Sequence, residues 1–165
     1  MRAAAASQTD AETRLHQLSG FLSGFAAAMF AAIPLELLAS KHWQEPVQFI
    51  PFALSLLGLV ATLAAWKRPS RSTLRALRAV AVVNAAGATY GVFEHFEGNH
   101  GFITERRSDE AGWALVKGML TGRAPALVSG ALVVAAVVEL AASWAAAPAP
   151  ETAPAAADIR RPVTA

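Results

Sequence analysis

Residues 90–105 read YGVFEHFEGNHGFITE, and the rest of the chain is arranged around them. The stretch begins inside an apolar helix and ends in a charged loop, the pattern expected where a membrane helix reaches water. Glutamate, histidine and asparagine side chains are concentrated in it. Because ionisable groups near membrane depth are costly, such a cluster is typical of a functional site. The apolar segments on either side show what kind of protein holds it.

The apolar residues, 55% of the 165, fall into four blocks. Each block has about 17–22 residues, the length of a helix that crosses a hydrocarbon core. Alanine, leucine and valine dominate the blocks, which favours helices over the strands of a barrel. The sequence therefore predicts an all-α integral membrane four-helix bundle. We expect a transmembrane domain over 18–144, with spans at about 18–39, 46–66, 79–96 and 124–144.

The segments outside the four spans are predicted as follows. Residues 1–17 form an N-terminal cytoplasmic tail, and the Pro/Ala-rich residues 145–165 form a disordered cytoplasmic tail because they lack core-forming side chains. Residues 109–120 form a short helix in the membrane interface between spans three and four, starting after Ser108 and ending at Gly122. Ser72 caps a helical lead-in to span three, and Pro125 opens span four.

The orientation in the membrane follows from the connection after span two. It carries five basic residues and no acidic one: Lys67, Arg68, Arg71, Arg75 and Arg78. By the positive-inside rule this connection is cytoplasmic, so both termini are cytoplasmic and the other two connections are outside. Tryptophans agree with two interfaces, Trp43 and Trp113 outside, Trp66 and Trp144 inside. The predicted location is the cell inner membrane, crossed several times.

Composition limits the chemistry and the partners. The chain has no cysteine, which excludes disulfides, thiolate metal sites and a cysteine nucleophile. A net charge of +2, with basic residues next to apolar blocks, predicts no nucleic-acid binding. The expected partner is the lipid bilayer. A membrane-protein partner or a second copy is also expected, because the pairs Gly20/Gly24 and Gly87/Gly91 form small-residue faces that let helices approach closely.

The predicted topology gathers polar residues from distant parts of the chain at the outer end of the bundle. Two histidines together with carboxylates form a nitrogen and oxygen ligand set that suits zinc, iron or manganese. Amide side chains nearby would orient the ligands. We therefore predict a divalent metal site. Its expected ligands are His42, His95, Glu36 and Glu105, with Asn99 and Gln48 as the orienting groups.

Three other interpretations remain open for this polar cluster. Interfacial charges often reach into water and pair with neighbouring bases, here Lys41, Arg106 and Arg107. The bundle can also bind haem or another lipid-soluble ligand, with His42 and His95 as axial ligands. Haem fits less well because His42 is predicted in a loop. A third interpretation is a non-enzymatic membrane subunit that packs against a partner.

A small-solute transporter is the remaining alternative, and it requires a polar path through the bundle. Asn84 is the only evident polar candidate in the middle of a span. Glu139 is predicted near the inner interface, where it pairs with an arginine of the second connection. No catalytic residue is assigned, and the sequence leaves open whether the protein is an enzyme.

Three segments, ELLASKHWQEPVQFIPF, YGVFEHFEGNHGFITE and GMLTGRAPALVSG, resemble a family of small bacterial four-span membrane proteins. That family has the patterns E…HW…Q-x-IP, H-x-x-GN-x-x-F-x-x-E and G-x-x-PAL-x-x-G. The family has no established activity, so the resemblance implies the number of spans and no catalytic residues. The matching positions are Glu36, His42, Gln48, Pro51, His95, Gly98, Asn99, Phe102, Glu105, Pro125 and Gly130.

Overall fold

The computed structural model describes residues 2–106, 109, 111–122 and 127–146, and every regular element in these ranges is a helix. Four helices are long and apolar enough to cross a membrane, which confirms the predicted all-α class and the number of spans. The helices are α1 (Arg2–Ala39), α2 (Ile50–Lys67), α3 (Arg71–Arg106), α4 (Gly112–Thr121) and α5 (Leu127–Ala145), with a short 3₁₀ helix at Pro46–Phe49.

The four long helices form a ring in which α1 and α3 each pack against both α2 and α5. The centre holds apolar side chains that are at most 2% exposed, including Phe30, Leu37 and Leu132. Large apolar side chains also cover the outside, as at Phe21, which is 69% exposed. An outer surface of this kind is what a helical bundle presents to lipid, so the fold is compatible with a membrane bundle.

The two ends of the bundle carry different chemistry. The end with residues 36–51 and 90–106 is called the histidine end here, because His42 and His95 lie there. The opposite end, with residues 66–78 and 139–146, is called the arginine end. The tryptophans are divided between the ends as expected for an aromatic belt, since Trp66 and Trp144 fall in the last turns of α2 and α5.

Helix α3 is longer than predicted and contains the whole of residues 90–105. The sequence placed the end of span three near Phe96 and a loop after it, whereas the helix continues to Arg106. Two glycines in this part lower helix propensity by only about 1 kcal/mol each. Packing offsets that cost, because the side chain of Asn99 donates a hydrogen bond to the Met119 carbonyl of α4.

Helix α1 likewise begins at Arg2, so the predicted tail 1–17 is helical from that residue onward.

Two other helix starts differ from the prediction. Ser70, not Ser72, caps α3, because Ser70 Oγ accepts the N–H of Thr73 at 3.1 Å and Thr73 Oγ1 accepts the N–H of Ser70 at 2.9 Å. Helix α4 begins at Gly112, and it ends before Gly122 as predicted. The predictions for Ser108, Pro125 and residues 147–165 lie outside the described residues. The placement of α4 in the membrane interface stays a prediction.

The small-residue faces predicted to contact a partner are used inside the bundle. Trp66 of α2 lies against Gly20 and Gly24, with its ring 3.5 Å from the position of a Cβ atom at Gly24. On α3, Gly87 faces Leu54 and Gly91 faces Ser129. These glycines allow close helix approach as expected, but the approach is between helices of one chain.

Candidate functional site

The end of α1 positions His42 through a specific turn. The N–H of His42 donates to the Leu37 carbonyl at 2.8 Å, and the N–H of Lys41 donates to the Leu38 carbonyl at 3.1 Å. Lys41 has φ of 55°, so the turn is a Schellman motif with lysine in the position that glycine usually occupies. This conformation costs a non-glycine residue about 1–2 kcal/mol. The turn directs the chain back across the bundle end, which brings His42 towards α3.

The connection after His42 is held by Gln48. Its Oε1 accepts the N–H of Gln44 at 2.7 Å and that of Glu45 at 3.2 Å, while Pro46 begins the 3₁₀ helix. Gln48 was predicted to orient metal ligands, and its carbonyl oxygen instead orients the backbone of the connection. Its Nε2 has no hydrogen-bond partner among the residues that the structure describes.

The structure brings His42 and His95 together. Their rings lie 6.0 Å apart, centre to centre, with the ring planes inclined by 52°. Both imidazoles are half-buried. His95 continues an inward-facing stripe of α3 whose members Asn84 and Ala88 are fully buried.

A large pocket opens at the histidine end beside these two rings. Its volume is about 850 Å³, within the range of small-molecule sites, and α1, α2, α3, α5 and the 3₁₀ helix all contribute to its wall. Five of the six predicted site residues contribute to its polar lining: Glu36, His42, Gln48, His95 and Asn99. Its apolar lining includes Leu37, Leu54, Ala88, Val128 and Leu132.

Glu105, the remaining predicted ligand, lies outside the pocket wall. It is exposed near the end of α3, about 15 Å along the helix from His95 at 1.5 Å per residue. Two residues on one helix at that distance cannot bind the same metal ion. Beside Glu105, the Arg106 guanidinium carbon lies over the Phe102 ring at 5.4 Å from its centre.

A complete set of metal ligands is not assembled in the described ranges 2–106, 109, 111–122 and 127–146. No group of three or more histidine, aspartate and glutamate side chains there could hold a metal ion. Glu36 and Glu94 are exposed at the pocket rim, whereas the histidines are half-buried. The pair His42 and His95 is therefore the part of the predicted site that the fold brings into proximity.

Asn99, which lines the pocket, has a structural role. It is 2% exposed, and its Nδ2 donates to the Met119 carbonyl at 2.8 Å. This hydrogen bond joins α3 to α4, so the side chain predicted to orient a metal ligand holds a neighbouring helix in place.

Glu139 is the residue whose position the sequence prediction missed. It is fully buried, and its Oε1 accepts a hydrogen bond from Thr62 Oγ1 at 3.0 Å. The arginine of the second connection that reaches α5 binds Ser143 instead: Arg78 Nε donates to Ser143 Oγ at 3.1 Å and Nη2 to the Ser143 carbonyl at 3.0 Å. The sequence contained a signal for the contact between Thr62 and Glu139, because the two residues lie at similar distances from the ends of α2 and α5.

The described residues thus form a helical bundle with four helices long and apolar enough to cross a membrane, and with an interhelical cavity beside a histidine pair. Comparison of the chain with known protein families, curated proteins and solved structures found no match.

Proposed function

We propose that this membrane protein binds a lipid-soluble small molecule in the pocket at the histidine end, with His42 and His95 in contact with its polar head. The observation that supports this function is the mixed lining of the pocket, in which the polar side chains of His42 and His95 occur together with apolar ones such as Leu54 and Leu132. A molecule with an apolar body and a polar head matches such a lining.

The head is expected to accept hydrogen bonds. Imidazoles of His42 and His95 present N–H donors, and Gln48 presents Nε2 because its oxygen is already bonded to the connection. The carboxylates Glu36 and Glu94 are exposed at the rim. A carbonyl head therefore complements the donors of His42, His95 and Gln48 better than a cationic head does.

Binding of decylubiquinone to the purified full chain, followed by tryptophan fluorescence, tests this function. We expect His42→Ala and His95→Ala each to weaken binding by about 2–10-fold, because a lost hydrogen bond is worth roughly 0.5–1.5 kcal/mol. His100→Ala is the matched control, since His100 is exposed on the same helix end and does not line this pocket. Decylbenzene, which lacks the carbonyl head, should bind weakly to all variants. Equal affinity in the parent and the double histidine variant would rule out the proposed contact.

A divalent metal ion held by the histidine pair is the second candidate. Imidazoles that share one zinc ion at about 2.0–2.1 Å have ring centres roughly 5–6 Å apart, close to the observed 6.0 Å. Glu36 and Glu94, which both line the pocket, are the carboxylates that could supply a third ligand by side-chain rotation. Water or a bound substrate would occupy the other positions, as in catalytic zinc sites.

Metal content of the detergent-purified protein separates this candidate from the first. A metal site predicts stoichiometric zinc, iron or manganese that is lost in the His42→Ala/His95→Ala variant and retained in His100→Ala. A haem absorbance band lost in the same variant would instead identify haem. If the parent protein contains neither metal nor haem after purification without chelators, this result contradicts both the metal site and the haem site.

The proposed location is the cell inner membrane, with the arginine end and both termini in the cytoplasm. The basic connection between α2 and α3 supports this orientation through the positive-inside rule. Since the chain has no cysteine, single cysteines at His100 and Ser72 report the two ends without background. Only the former should react with an impermeant reagent added outside the cell, and the reverse pattern would invert the topology.

A further inference from the structure

Three fully buried polar side chains lie in the interior of the bundle, away from the pocket. Thr62 is 1% exposed, and Asn84 and Glu139 are 0% exposed. Glu139 stands about 18 Å from the first residue of α5 and about 9 Å from the last, at 1.5 Å per residue. None of the three lines the cavity at the histidine end. They form a separate polar cluster, called the buried acid cluster below.

The buried acid cluster contains polar atoms without hydrogen-bond partners. Glu139 Oε1 accepts from Thr62, but Glu139 Oε2 and both polar atoms of the Asn84 amide have no partner among the described residues. Buried polar atoms are nearly always paired with protein, water or an ion. Unpaired atoms at this depth therefore indicate something that the protein binds there.

Packing places these atoms close to one another. Asn84 Nδ2 lies 2.6 Å from the position of a Cβ atom on Gly58, so the amide rests against α2 at that residue. Glu139 contacts α2 one turn further, at Thr62. Side chains one turn apart on a helix face are about 5–6 Å apart. The unpaired carboxyl oxygen and the unpaired amide thus belong to one region of the core.

Glu139 has no ion-pair partner among the residues that the structure describes. The guanidinium of Arg78 on α3 is hydrogen-bonded to Ser143, one turn along α5 from Glu139. Towards this region α1 contributes the buried Ser19 and Ser23, and α2 contributes Thr62. A lone carboxylate in a membrane interior is strongly unfavourable, so a positive charge must neutralise it.

Space decides between a proton and a metal cation. A metal cation held by oxygen atoms needs about six or more ligands around it. The cluster is too tightly packed for that, because a Cβ atom on Gly58 would already lie 2.5 Å from the Phe30 ring and 2.6 Å from Asn84. A proton needs no cavity. It also makes Oε2 a hydrogen-bond donor, and the Asn84 Oδ1 acceptor is about one helical turn away.

We propose that Glu139 is a proton-binding site inside the bundle, loaded from the arginine end through the Ser143 hydroxyl, which a hydrogen bond from Arg78 holds in place. In the loading step a hydronium ion at the arginine end gives one proton to the Ser143 hydroxyl and becomes water. The hydroxyl passes a proton on to Oε2, which forms a neutral carboxylic acid. Release is the reverse transfer. The site is independent of the histidine-end pocket and goes beyond ligand binding there.

Infrared spectroscopy of the full chain in liposomes tests the proton site. We expect a C=O stretch of a protonated carboxyl group that shifts in D2O, disappears in Glu139→Gln and remains in the control Glu36→Gln. In Thr62→Val the native carboxyl loses its hydrogen bond, so the same band should move to higher frequency. This second variant assigns the band even where Glu139→Gln does not fold.

The route is tested by the rate of deuterium exchange of that band. Ser143→Ala should slow the exchange several-fold, and Ser129→Ala at the histidine end should leave it unchanged. The proposal is overturned by the absence of a Glu139 band at every pH at which the protein is folded, or by a band that does not exchange in D2O. An exchange rate that is the same in Ser143→Ala overturns the proposed route.

Discussion

Replacing Gly58 with alanine is expected to lower the free energy of unfolding by about 1–3 kcal/mol, the usual cost of overpacking a core. The added Cβ atom would lie 2.5 Å from the Phe30 ring and 2.6 Å from Asn84 Nδ2. Both neighbours are 0% exposed and are held by packing on all sides, so relief requires movement of whole helices. Unfolding in mixed micelles by titration with SDS measures the loss.

A matched glycine supplies the control for this prediction. A Cβ atom at Gly98 of α3 has nothing within 4 Å among the described residues. Alanine at that position is expected to raise the free energy of unfolding by up to about 1 kcal/mol, because alanine is the better helix former. The same substitution therefore has opposite signs at the two sites. A stabilising Gly58→Ala would show that α2 and α3 are not packed as described.

Substitution of Phe30 tests whether overlap with its ring causes the loss of stability in Gly58→Ala. Phe30→Ala alone leaves a cavity and is destabilising. In combination with Gly58→Ala the overlap with the ring is removed, so the two changes should be less harmful together than their sum. A coupling energy of about 0.5–3 kcal/mol is typical of residues in direct contact. Additive effects would place the strain elsewhere, for instance at Asn84.

Arg78→Ala is expected to be the most destabilising change among the arginines, at about 1.5–3 kcal/mol. The guanidinium donates two hydrogen bonds to Ser143, one to the hydroxyl and one to the carbonyl, and so ties α3 to α5 at the arginine end. Because Ser143 is 0% exposed, alanine leaves both acceptors buried and without this partner. SDS unfolding measures this loss as well.

Two substitutions show whether geometry or charge is responsible. Arg78→Lys keeps the charge but cannot reproduce both bonds of the guanidinium, so it should recover only part of the loss. Arg75→Ala removes a charge from an exposed position one turn earlier on α3 and should change stability by less than about 0.5 kcal/mol. Equal losses for Arg75→Ala and Arg78→Ala would mean that the contact with Ser143 contributes nothing.

The number of membrane helices was predictable because hydropathy and length are local properties. Each apolar block is by itself long and hydrophobic enough to cross a bilayer, whatever its neighbours are. The location of His42 and His95 at one end was also predictable, since the two crossings between the first and third connections return the chain to the same side. The turn at Lys41 that directs His42 to α3 was not predictable, because a lysine in the sequence does not indicate a left-handed backbone conformation.

Helix ends were less predictable because they depend on contacts with other elements. The sequence suggested a loop after Phe96, but the hydrogen bond from Asn99 to α4 supports ten further helical residues, to Arg106. The same limit applies to Glu105. Its helical continuation moves it away from His95, so a ligand set that seemed local in the sequence is separated in space.

The sequence by itself determined four helices long and apolar enough to cross a membrane, and it predicted that the histidines gather at one end. Only the tertiary structure decided which polar groups meet: Arg78 with Ser143 and Thr62 with Glu139, whereas Asn84 has no partner among the described residues. The physical reason is that hydropathy belongs to each segment alone. A hydrogen bond between helices depends instead on which faces meet and at what depth, and that is settled when the helices pack.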